Sequence, residues 1–105
     1  MGIKEDSGKI LKYLYDQYVT ENSVDANNLI EETSWDGKRI DRSLKYLKDI
    51  NAIKITLFFG NVSGLQNFNF DKMTPDGISI IEDEASFKHT FGINLGIFSW
   101  STTQQ

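Results

Sequence analysis

The stretch "LIEETSWDGKRIDRSLKYLKDINAI", residues 29–53, decides how this chain folds. Its middle repeats apolar residues at Ile40, Leu44 and Leu47, spaced four and three, which is the narrow inward stripe of a helix. Asp36 stands just before, where a carboxylate accepts a free backbone N–H, so a helix is predicted over 37–50. Upstream, "DANNLIEET" (25–33) brings Ala26, Leu29 and Ile30 to one helical face, with Ser23 placed to cap it. "SWD" between the two is a tight turn. Downstream the period falls to two: Ile53, Ile55, Leu57 and Phe59 alternate in "IKITLFF", as a half-buried strand requires.

Working outward, "GKILKYLYDQYV" (8–19) reads as a first helix capped by Asp6 or Ser7, with Ile10, Leu11, Leu14 and Tyr18 inward. Tyr13 and Tyr15 lie on or beside that face and read as packing. "GNVSG" (60–64) is rich in turn residues, and "LQNFNFD" alternates again with Phe68 and Phe70 on one side, completing a β-hairpin. "MTPDGISIIEDE" then opens a fourth helix, with Thr74 as cap, Pro75 at the first helical position, and Ile78 and Ile81 inward. "FGINLGIFSW" alternates at Phe91, Ile93, Leu95 and Ile97, and is expected to form a closing strand.

At 105 residues the chain has room for one domain and one core. Apolar residues at 39% and charged residues at 25% are those of a folded globular protein, not a disordered one. The absence of cysteine excludes a disulfide framework and thiolate metal sites, and fits a reducing compartment. No apolar run reaches membrane-spanning length, and "MGIKEDSGK" lacks the apolar core of a signal peptide, so a cytoplasmic protein with no membrane partner is expected.

Helix, helix, turn, helix, hairpin, helix is the order of a winged helix domain, and residues 29–53 resemble the helix-turn-helix core of winged helix transcription regulators. Leu29 and Ile30 match the positioning helix, Trp35 the buried turn residue and Asp36 the cap of the recognition helix. Ile40, Leu44 and Leu47 match its buried aliphatics, Asn51 the helix stop and Ile53 the first aliphatic of the wing. "TPDGISIIE" is similar to the start of the helix that follows the wing. The resemblance implies an α+β, mainly α fold: a three-helix core, a β-hairpin wing and a fourth helix, here with a C-terminal β-strand extension. A single domain over 1–105 follows, with a core at 8–83 and an extension at 86–101. The resemblance also implies a small DNA-binding transcription regulator. Two departures stand out. "FFGNVSGLQNFNF" has no Lys or Arg, where DNA-binding members commonly carry basic wing contacts, and the extension is absent from a minimal winged helix.

The charge is uneven. The net value is −4, yet Lys38, Arg39, Arg42, Lys45 and Lys48 crowd into one helix with Asp41 as the single acid among residues 37–48. At about 100° per residue, Lys38, Arg42 and Lys45 fall together opposite the apolar stripe, with Arg39 and Tyr46 to one side and Lys48 to the other. Such a row suits the major groove, where Arg forks onto guanine and Lys neutralises phosphate. The candidate DNA-binding residues are therefore Lys38, Arg39, Arg42 and Lys45, with double-stranded DNA as partner. Few contacts and an acidic remainder call for a homodimer. The plainer reading is a solvated helix face with Asp41–Lys45 and Lys45–Asp49 pairs.

The alternative function is a protein–protein interaction or dimerisation module on the same fold. Phe58, Phe98 and Trp100 fall off the apolar faces of their strands and are its candidate surface, unless the extension packs over them. His89 is the lone histidine, "EDE" (82–84) reads as a surface acidic run, and "GNVSG" lacks the Lys and helix of a P-loop. No enzyme, metal, cofactor or small-molecule substrate is expected.

Overall fold

A computed structural model describes residues 2–96. Within them, helices α1 (Ile3–Val19), α2 (Ala26–Thr33) and α3 (Gly37–Asp49) lead into strands β1 (Ile53–Val62) and β2 (Leu65–Met73), followed by α4 (Pro75–Ile81) and α5 (Glu84–Phe91). The result is a small, mainly helical α+β domain whose sheet is one antiparallel hairpin.

α1 starts five residues earlier than expected. Gly2 holds the extended cap position, and the Glu5 carboxylate reaches back to accept the Gly2 N–H at 2.9 Å. Asp6 and Ser7, read as caps, are instead buried inside the helix. Both have partners on α3: Asp6 meets Arg39, and the Ser7 hydroxyl donates to the Ser43 carbonyl at 3.3 Å. α2 is capped by Asp25, not Ser23. Asp25 Oδ1 accepts from the Asn28 N–H and Asn28 Oδ1 accepts from the Asp25 N–H, a reciprocal pair.

The turn between α2 and α3 follows the sequence closely. Ser34 takes a left-handed conformation (φ 59°), Trp35 is buried, and Asp36 accepts the Lys38 N–H. α3 buries Ile40, Leu44 and Leu47 in one cluster with Ile10, Leu11, Leu14 and Leu29. It stops at Asn51 (φ 63°), where the Ala52 N–H reaches Leu47 O and the Asn51 N–H reaches Lys48 O, a Schellman closure.

The hairpin turns on Ser63 and Gly64, both at positive φ, the pattern of a two-residue type I′ turn. The turn is tucked against the start of α3. A Cβ at Gly37 would lie 2.1 Å from the Ser63 carbonyl oxygen, so that close approach requires glycine. β2 keeps Phe68 and Phe70 inward, as expected. β1 does not keep its alternation. Ile53 is buried, but Leu57 is 40% exposed and Phe59, read as inward, is 102% exposed. For Phe59 the cause is a bulge: Leu57 pairs with Phe68 and Asn61 with Gln66, so Phe58, Phe59 and Gly60 face a single residue, Asn67, on β2.

Thr74 caps α4 as expected, accepting the Gly77 N–H at 3.0 Å while its hydroxyl donates to the Asn51 carbonyl. The expected closing strand is not observed. Phe91 ends α5, residues 92–96 form no strand, and 97–100 lie outside the described residues. Phe87 and Phe91 stand four apart on one helical face, with rings 5.0 Å between centroids, and both are fully buried. Asp83 caps α5 through the Ala85 and Ser86 N–H groups. Gly8 makes room for the helix: a Cβ there would meet Phe91 Cβ at 2.8 Å. α5 therefore packs on α1 and belongs to the core, which runs past residue 83.

Candidate functional site

The chemistry-bearing surface is the outer face of α3 together with the hairpin beside it. Lys38, Arg42, Lys45 and Lys48 are exposed along α3, and Asp49 is exposed at its end. Lys45 Nζ lies 2.9 Å from Asp41 Oδ2, and Asp41 Oδ1 accepts the Gln66 N–H at 3.2 Å. Asp41 thus fastens the hairpin to α3 and has both carboxylate oxygens engaged. Lys38 packs by the hairpin turn, its Cγ 3.0 Å from where a Cβ on Gly64 would stand.

Arg39 is placed differently from the other three candidates. Its Nε and Nη2 form a fork onto the Asp6 carboxylate at 2.8 and 2.9 Å, and its guanidinium lies 3.8 Å from the centroid of the Trp35 ring. The side chains of Arg39 and Asp6 are only 23% and 9% exposed, so this is a largely desolvated pair joining α1 to α3. Lys9 sits in the same cluster. Burial pushes its pKa down; Asp6 counters that, the Arg39 charge adds to it, and Glu5 offsets a further part.

Between α3 and the β1 bulge runs an open groove of about 530 Å³, lined by Asp41, Lys45, the Leu57–Asn61 segment, Gly64 and Gln66. Phe58 is 51% exposed at its edge. The sequence pointed to Phe58 but not to Phe59 or the bulge; Gly60 directly after "FF", with its positive φ of 91°, is the local signal for it. Phe98 and Trp100 lie outside the described residues.

The remaining singled-out groups have structural work. Tyr18 packs edge-on against Phe70 at 6.4 Å, and Tyr15 donates to Glu82 at 2.6 Å, a bond that holds the phenol neutral and its pKa up. Tyr13 is half-buried, and burial followed by the Glu32 and Asp25 charges raises its pKa. Of the "EDE" acids, Glu82 serves Tyr15 and Asp83 caps α5. His89 is exposed on α5. Among the described residues no three metal-ligating side chains come together, and no helix is long and apolar enough to cross a membrane.

No protein family, curated protein or solved structure was found to match this chain.

Proposed function

We propose that the chain is a winged helix domain, with α1–α3 as its trihelical core and the hairpin as its wing, and that it binds double-stranded DNA through α3 as a small transcription regulator. The observation that carries this reading is the division of labour on α3. Arg39 is turned inward to hold the fold, while Lys38, Arg42 and Lys45 remain on the outer face, next to a hairpin fastened at Asp41 and Gly37. On a duplex of random sequence all three neutralise phosphates, and Arg42 is the one suited to fork onto a base edge at a specific site. The bridge between Asp25 and Asn69 supports the assignment by tying the start of α2 to β2.

The test is fluorescence anisotropy with a labelled random-sequence duplex over a range of salt. Wild type should bind at low salt. Replacing both Lys38 and Arg42 by Ala should reduce the slope of log affinity against log salt by about 1.8, roughly 0.9 per lost phosphate contact. A wild-type protein that ignores DNA at low salt makes this face a solvated one.

A second reading is favoured by a specific observation. Leu57, Phe58 and Phe59 form an exposed apolar strip on the hairpin (40, 51 and 102% exposed), the kind of surface a protein partner covers. Under that reading the double substitution leaves partner binding intact.

A further inference from the structure

We propose that the exposed strip Leu57–Phe59 is where a second copy of this chain docks, forming a two-fold dimer with the Phe59 rings close to the axis. The inference rests on the second reading above, that a protein covers this strip, and names the protein.

Charge is what favours a second copy. In a two-fold contact a patch meets an identical patch, so any net charge on it meets the same charge. A chain of net charge −4 approaches itself with least repulsion through a neutral surface. The hairpin is such a surface: residues 55–70 carry no charged side chain, in a chain that is 25% charged. The groove beside it is neutral as well, because the two charges that line it, Lys45 and Asp41, pair with each other at 2.9 Å. A nucleic acid, an anionic membrane or a charged peptide finds no counter-charge there, whereas an identical surface needs none.

Area and topology agree with that occupant. Phe59 is 102% and Phe58 51% exposed, so at about 200 Å² per ring they offer roughly 300 Å² of apolar surface per copy. Two copies bring roughly 600 Å², about half of the 1,200 Å² at which specific interfaces begin, and close to the apolar share such interfaces have. Asn61 and Gln66, which line the same groove, stand where a polar rim belongs. β1 is also the open side of the sheet. β2 is held from outside, its Gln66 N–H by Asp41 and its Phe70 N–H by the Val24 carbonyl. Among the described residues no backbone hydrogen bond reaches β1 from outside the hairpin. The bulge spoils that edge as a template for added strands, so side chains make the contact and it closes at two copies. Lys38 and Arg42 do not line the groove, so the dimer leaves both uncovered on each copy.

Sedimentation equilibrium of the full chain over a concentration series tests this, with wild type, Phe59→Ser, Phe59→Asp and Phe59→Lys. Circular dichroism checks that each variant folds. Wild type should dimerise in the micromolar range, and Phe59→Ser should weaken the dimer roughly a hundredfold, the loss expected when two central aromatics go. Phe59→Asp and Phe59→Lys should each be monomeric alone and dimerise when mixed, because the axis sets position 59 near its own counterpart. A mixture that stays monomeric overturns that placement. A dimer that Phe59→Ser leaves intact uses another face and overturns the proposal. A wild type that is monomeric throughout overturns the second copy and leaves the strip to a different protein. A monomer that sediments with vesicles of phosphatidylglycerol, and ceases to on Phe59→Ser, overturns the protein reading of the strip as well.

Discussion

Arg39 shows what one side chain does when two demands compete for it. On α3 it stands one residue from Lys38 and three from Arg42, yet it lies across Trp35 and forks onto Asp6. Lysine cannot reproduce that arrangement, because only a planar guanidinium gives two parallel bonds and a stacked face. Arg39→Ala strips the buried Asp6 of both fork bonds, leaving the Lys9 charge as its remaining counterpart, and should cost about 3 kcal/mol in urea denaturation, with Arg39→Lys recovering only part of it. Lys9, in the same cluster, makes a pH prediction. Its folded pKa lies below the ordinary 10.5, so between those two values the unfolded chain binds the extra proton and stability rises with pH. Measured as a difference, wild type should therefore gain on Lys9→Met as pH climbs toward 10.5. Tyr13 has the opposite sign. Its folded pKa lies above 10.0, so its contribution is complete below pH 10 and lost above it, and wild type should lose ground to Tyr13→Phe there.

At the scale of elements, the local code was largely legible. Asp36, Thr74 and Asn51 end or begin helices as their chemistry dictates, and the alternation of Phe68 and Phe70 survives intact. α5 was not legible. "FGINLGIFSW" alternates like a strand, whereas the residues that matter, Phe87 and Phe91, straddle its start at helical spacing. What decides between the two is a surface on α1: Gly8 leaves a gap that the two rings fill. Phe87→Ala should therefore behave as a core truncation, costing about 4 kcal/mol and lowering the thermal midpoint, as no loosely attached extension would. The bulge in β1 is a similar case. An alternating pattern sets a register only where one face is buried. Between Ile55 and Val62 β1 lies outside the core, while β2 stays on it through Leu65 and Phe68, so over that stretch the pairing with β2 decides which side chains turn out.

For the whole molecule, the acidic balance sets the terms of any encounter with DNA. A net charge of −4 opposes approach, and Lys38, Arg42 and Lys45 supply at most three phosphate contacts per chain. The DNA-binding proposal accordingly implies a salt slope of about −2.7 for a monomer and about −5.4 for a dimer, and sedimentation of the complex decides which of the two applies. The sequence by itself determined the order of the first six elements, the turn at Trp35, the inward stripe of α3 and the outward position of Lys38, Arg42 and Lys45. Each of these depends on residues within a few positions of one another, where helical or strand period and capping operate. The tertiary structure alone decided that Arg39 leaves its helix face for a carboxylate 33 residues away, that Asp6 and Ser7 are core rather than caps, and that α5 closes the core. It alone put Phe59 fully into solvent. Those outcomes depend on partners brought together only by packing, and no local pattern encodes which distant surface a side chain will meet.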